Sequence, residues 1–162
     1  MQKIQNQYFL LYLQFALLKS LNVMVSFQND GVELPSLDYS KISRWLTEVA
    51  AGYDRRIGDL VYRFCSDEII LKTNNDFLHH NYYTDVITFD YSIGKRVGAD
   101  VLISLDTVRT NAENFGVCFK EELLRVIVHG LLHLCGLKDK SPEERTLMES
   151  AEDKALAQYS FI

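Results

Sequence analysis

Residues 120–140 read KEELLRVIVHGLLHLCGLKDK. Leu123, Leu124, Ile127, Val128, Leu131 and Leu132 recur at the spacing of one helical face, which predicts a long helix over 120–134 with that face buried. Gly136 stands where a left-handed residue would end it. His129 and His133 lie four apart inside the helix. Four residues advance ~400°, so both imidazoles leave the same flank, one turn apart. Such a pair suits two nitrogen ligands on one zinc-sized ion, with bonds of ~2.0–2.1 Å. Once Gly136 reverses the chain, Asp139 returns toward the histidines and offers a carboxylate oxygen. Two histidines and one carboxylate leave one position open, as a catalytic zinc requires. The competing reading is a hydrogen-bonded pair of core histidines.

Other groups in the segment fit a metal less well. Lys138 and Lys140 are cationic at neutral pH. Cys135 lies two residues past His133, ~200° around the helix, and is expected to face the core. Glu143 and Glu144 belong to the next helix start, Ser141-Pro142-Glu143-Glu144, with proline in the first turn and Glu144 at the capping-box position. That last helix is expected to run to about Tyr159.

Working outward, Val86–Tyr91 (VITFDY) and Ala99–Leu105 (ADVLISL) read as strands joined across the turn at Gly94–Gly98. Their short connection predicts an antiparallel hairpin, hence a mixed sheet. Residues 24–28 and Leu60–Cys65 read as further strands. A helix is expected over about 41–52, capped by Asp38 or Ser40, with Ile42, Trp45, Leu46 and Val49 inward. Another follows Ser66 and Asp67 to about Asn75, with Ile70 and Leu71 inward. Asp106 is expected to cap a helix over about 107–114, and Asn74–Thr84 to be a loop. The fold class is therefore α/β: one domain, a small mixed sheet flanked by helices, with a long helix bearing the histidines.

The bulk numbers agree. The chain has 162 residues, 48% of them hydrophobic and 24% charged, enough for one domain with a core of its own. A metal here is then expected to serve chemistry rather than folding. The net charge of −5 argues against bulk attraction to nucleic acid, although Arg55-Arg56, Lys95-Arg96 and Lys138/Lys140 are local basic pairs. Three cysteines without a CxxC pair fit a reducing cytoplasm. Tyr8–Leu18 (YFLLYLQFALL) is too short for a bilayer, which needs about 20 apolar residues. No cleavage site follows it. Residues 1–23 are expected to be an extension, artefactual or disordered, before a domain over 24–162, with Met24 as a plausible start.

Zinc peptidases of the H-E-x-x-H type place a glutamate after the first histidine as general base. Here that position is Gly130, which argues against an ordinary peptidase. Another group, or the metal's own effect on a bound water, must then supply the nucleophile.

At these residues the chain resembles the YbeY family, bacterial metallo-endoribonucleases linked to ribosomal RNA maturation. The family motif is H-G-x-L-H-L-x-G-Y-D-H, and His129, Gly130, Leu132, His133, Leu134 and Gly136 match it. Asn74, Thr84-Asp85-Val86 and Phe89 follow its N-x-x-Y-R…T-D-V-L-S-F stretch. Asp100, Ile103 and Ser104 follow its G-D-I-x-I-S strand, and Met148 and Glu152 its M-x-x-x-E. The resemblance implies a single-strand-specific, metal-dependent endoribonuclease of rRNA maturation and ribosome quality control, with one divalent ion, zinc expected, on His129, His133 and Asp139. Its partners would be ribosomal RNA or a ribosomal subunit in the cytoplasm, with no membrane and no DNA.

Two positions depart from the family. Its third histidine falls at Asp139, which shifts preference toward harder ions. Its arginine falls at Leu78, removing a phosphate contact. His79 and His80 lie beside that gap; either is a candidate donor or general acid, His80 first, against the alternative of two exposed loop histidines. Phe77, Tyr82 and Tyr83 are candidate base-stacking residues. The alternatives are a non-enzymatic ribosome assembly factor with a structural metal, and a metal hydrolase of another substrate.

Overall fold

The computed structural model describes residues 24–78 and 84–160. Residues 1–23 and His79–Tyr83, with the expectations placed on them, lie outside the described residues. Strand β1 (Met24–Asn29) leads to helix α1 (Tyr39–Gly52), strand β2 (Arg56–Cys65) and helix α2 (Asp67–Thr73), which continues as a π-helical turn at Asn74–Leu78. Strands β3 (Val86–Asp90) and β4 (Arg96–Ser104) follow, then helices α3 (Leu105–Phe115), α4 (Phe119–Leu134) and α5 (Pro142–Tyr159).

The strands form one sheet in the order β1-β2-β4-β3. β1 and β4 both pair parallel to β2, whereas β3 runs antiparallel to β4. The mixed sheet and its hairpin are those expected from residues 86–105. The turn between β3 and β4 closes with an Ile93–Arg96 bridge.

Alternation along the strands sorts two cores. Leu60, Tyr62 and Phe64 of β2 and Ala99, Val101 and Ile103 of β4 join Ile42, Trp45 and Leu46 of α1 and Leu123, Ile127 and Leu131 of α4 in the larger one. Cys65, Ile70 and Ile87 form a smaller one on the opposite face. Each fully buried aliphatic side chain contributes about 1.5–3 kcal/mol. Two buried polar groups lock the helices: Trp45 Nε1 donates to Ala155 O at 2.7 Å, and Tyr62 Oη donates to Ile127 O at 3.0 Å.

Three local expectations need correction. Ser104, not Asp106, caps α3, its hydroxyl accepting from Thr107 N at 3.3 Å. β4 runs straight into the helix, so the cap falls on the last strand residue. Asp106 instead accepts from the Asp67 backbone N–H at 3.0 Å. β2 starts at Arg56, because its pairing with β4 continues through an irregularity between Ile57 and Leu60. Finally, the first part of the Asn74–Thr84 stretch is a helical turn, with Asn74 buried.

Gly130 explains how α4 meets the sheet. A Cβ added there would lie 3.1 Å from Val101 Cγ1, with Val86 and Thr88 close behind. A Gly130→Leu substitution should therefore cost roughly 3 kcal/mol, the upper end of the overpacking range. The check is a lower urea midpoint at unchanged m-value.

Candidate metal centre

α4 carries both histidines on one flank. The rings meet edge-on with centroids 4.5 Å apart, and the two Nε2 atoms are 2.9 Å apart. Beyond them the helix ends in a left-handed turn. Gly136 has φ 107°, its N–H donates to His133 O at 2.9 Å, and Leu137 N–H donates to Leu132 O at 3.0 Å. These are the two bonds of a Schellman motif. The turn brings Asp139 back, so that Oδ2 lies 3.5 Å from His129 Nε2 and 3.3 Å from His133 Nε2.

The structure thus brings together His129, His133 and Asp139, with one donor atom from each within 4.8 Å of the others. This is the one such group of three or more among the described residues, and it could hold a metal ion. Ligand atoms around a tetrahedral ion with bonds of 2.0–2.1 Å stand roughly 3.3 Å apart, close to the separations here. The other ring nitrogens also fit. His129 Nδ1 donates to Glu152 Oε1 at 2.6 Å, and His133 Nδ1 donates to Leu137 O at 3.0 Å. Both partners accept only, so in the neutral rings each Nε2 keeps its lone pair for the shared point.

Two lone pairs and a carboxylate oxygen facing one another repel unless a cation stands among them. The surroundings supply that preference. Burial pushes the His129 imidazolium toward losing its proton, but the hydrogen bond and charge of Glu152, with the charges of Asp85 and Asp139, outweigh it and raise the pKa. The negative charge that favours a proton there would equally favour another cation.

The neighbouring groups are otherwise engaged. Cys135 packs against the core, and burial pushes its thiol up to about 11, so it stays protonated. Glu144 accepts from Lys140 N and Ser141 N at 3.0 and 3.1 Å in the capping box. His80, the candidate catalytic residue, and its neighbour His79 lie outside the described residues, as do Tyr82 and Tyr83.

Three residues had no role assigned from sequence. Glu152 sits on α5 in a buried stripe with Met148 and Ala155, its side chain only 8% exposed. The M-x-x-x-E resemblance marks its position, and an acid in an apolar stripe is the signal that could have pointed to a role. Arg125 of α4 donates to Glu152 Oε2 at 3.1 Å and pairs with Asp153 at 2.9 Å. Asp85, just before β3, accepts from Asn111 at 3.4 Å. Burial raises its pKa despite the nearby His129 and the backbone N–H groups of Asp85 and Val86. A cleft of about 450 Å³ opens beside His129 and Asp139, with Asp85, Asn111, Arg125, Arg145 and the exposed Phe115 among its walls.

A four-stranded mixed sheet packed against a helix that brings two histidines and a carboxylate together defines a single-domain α/β protein with a group that could hold a metal ion. The model of the Endoribonuclease YbeY family matches residues 24–160, and the chain belongs to that family. It is 54% identical to the Endoribonuclease YbeY of Bacteroides thetaiotaomicron, over 82% of this chain and 97% of that one. It is 53% identical to the Endoribonuclease YbeY of Phocaeicola vulgatus, over 85% and 99%. The solution structure of TM1509 from Thermotoga maritima shares the fold, with a TM-score of 0.53 at 24% identity over 85% of this chain and 92% of that one. No helix among the described residues is long and apolar enough to cross a membrane.

The Gly136 turn yields a test that touches no donor atom. Gly136→Val places a β-branched residue at positive φ, which displaces Asp139. Zinc affinity, read by competition with a chromophoric chelator, should fall while α4 helicity is kept. Unchanged affinity would refute the link between turn and site.

Proposed function

We propose that this chain is an endoribonuclease that cleaves single-stranded regions of ribosomal RNA during maturation and quality control, using one divalent ion held by His129, His133 and Asp139. Family membership supports the reaction class. The observation that carries the site is the convergence of three donor atoms whose histidine partners leave both Nε2 lone pairs pointing inward. Two imidazoles and one carboxylate favour zinc among the common ions. Three free cysteines support a reducing, cytoplasmic setting. The catalytic domain is residues 24–162, with 1–23 as an extension.

When bound, the ion supplies Lewis acidity toward the scissile phosphate and lowers the pKa of water. The chain's own residues do the rest. His129 and His133 present Nε2, and Asp139 completes the set while reducing the net charge at the centre. Arg145 lines the cleft and offers a guanidinium to a phosphate oxygen. Asp85 holds a proton at its carboxyl to higher pH than an exposed aspartate does, which suits it to protonate the leaving oxygen.

One observation favours a second reading. Leu78 occupies the position of the family arginine, so a charge expected at the phosphate is absent. A ribosome assembly factor whose metal is structural would tolerate that loss. His129→Ala separates the two. An enzyme loses cleavage of a single-stranded RNA and keeps its thermal stability, whereas an assembly factor loses stability.

Two further outcomes are expected. Asp139→Ala should lose metal on dialysis against a weak chelator, while Asp139→His should retain it. Full retention by Asp139→Ala would mean that another residue is the third ligand. Asp85→Asn should lower kcat for RNA cleavage by roughly 10²–10⁴ with KM little changed, the usual contribution of a proton-transfer group. Wild-type kcat in that variant would remove Asp85 from the mechanism.

A further inference from the structure

Glu152 is buried at a cost that helix packing does not explain. It stands between Met148 and Ala155 on the inward stripe of α5, where an apolar side chain would pack at least as well. An ionised carboxylate persists there only if both oxygens are paired. They are: Oε1 meets His129 Nδ1 at 2.6 Å, and Oε2 meets Arg125 at 3.1 Å. The tie between α4 and α5 does not need this acid, because the second arm of Arg125 already reaches Asp153 Oδ1 at 2.9 Å. What Glu152 adds is its bond to His129.

The two histidines also differ in their support. His133 is oriented by a neutral backbone carbonyl, Leu137 O, on its own chain segment. His129 is oriented by an anion on another helix, 23 residues away in sequence. A carboxylate on Nδ1–H pushes electron density to Nε2 and makes that nitrogen the stronger donor.

We infer that Glu152 is a positioning residue for the metal centre: it fixes His129 as the Nδ1–H tautomer and strengthens Nε2 as a ligand, with Arg125 bracing Glu152 for that task. This inference rests on the metal reading above. It makes α5 part of the centre although α5 supplies no ligand. It also assigns the Arg125–Glu152–His129 chain a role in metal affinity rather than in helix docking alone.

The test measures zinc affinity of the full chain by chelator competition, with Glu152→Ala and Glu152→Gln beside the wild type. Glu152→Ala should weaken zinc binding by roughly 10- to 100-fold, the usual effect of losing such a partner. Glu152→Gln should recover part of that loss, because its amide oxygen still accepts from Nδ1–H without the charge. In the zinc-loaded wild type and in Glu152→Gln, nitrogen-edited NMR should show a His129 Nδ1 proton protected from solvent exchange. That proton should exchange freely in Glu152→Ala, which a purely structural role would not require. Should Glu152→Ala fail to fold, the glutamine variant decides: affinity equal to wild type, or no protected Nδ1 proton in the wild type, overturns the inference. A wild-type chain that binds no zinc overturns the metal reading itself, and this inference with it.

Discussion

Everything at the centre depends on how closely α4 lies on the sheet. Gly130 lets the helix backbone approach Val101, and the buried Tyr62 hydroxyl holds Ile127 O from the same side. Those contacts fix the helix's rotation about its own axis. At ~100° per residue, His129 and His133 then emerge ~100° and ~60° from the Gly130 direction, on the same flank and clear of the sheet. The glycine that allows the packing also excludes the glutamate of a peptidase motif. A side chain at 130 points into Val101, Val86 and Thr88, so an acid there would be buried in an apolar layer rather than set beside a metal.

Electrostatics around the cleft follow from the same placement. Asp85, Glu122, Asp139 and Glu152 gather near the histidines, against the guanidinium groups of Arg125 and Arg145. Burial raises the pKa of both Asp85 and Glu122. The carboxylates that remain ionised in this wall repel a phosphate and attract a cation. RNA binding and metal binding would therefore be coupled in the proposed function, because the ion offsets the field that otherwise keeps a polyanion out. In the proposed function this also reconciles an overall charge of −5 with an RNA substrate, because attraction would be local, at the ion and Arg145, rather than spread over the surface.

Sequence periodicity foretold what local rules govern. The inward face of α1, the β3–β4 hairpin, the Gly136 turn and the Ser141 capping box are set by residues within a few positions of one another, and each is present. The convergence of Asp139 with the histidines was readable for the same reason, since only six residues separate Asp139 from His133. What escaped depends on distant contacts. The Ser104 cap arises because a strand enters a helix without a linker, and the early start of β2 depends on its partner β4. The Glu152–His129 bond joins two helices, so no spacing encodes it. The M-x-x-x-E resemblance and the oddity of an acid in the Met148–Ala155 stripe mark the residue but not its partner. Asp85 gains its character from burial, which a one-dimensional pattern cannot report.

In the proposed mechanism, the two departures from the pattern the resemblance implies act in the same direction. Replacing a neutral imidazole by the Asp139 carboxylate would lower the net charge of a bound dication, weakening its pull on a phosphate oxygen and its effect on the pKa of water. Leu78, where the resemblance expects an arginine, carries no charge to offer a phosphate. One negative charge gained and one positive charge lost ask more of whatever cation remains near the substrate. Arg125 is not free to meet that demand, because both arms of its guanidinium are taken by Glu152 and Asp153. Arg145 spends one arm on the Lys140 carbonyl at 3.0 Å and otherwise faces the cleft. A guanidinium tethered at one nitrogen keeps its remaining N–H groups for a phosphate, in an orientation the tether helps to fix. In the proposed mechanism, Arg145 is thus the side chain that takes up the charge the other two positions have given away.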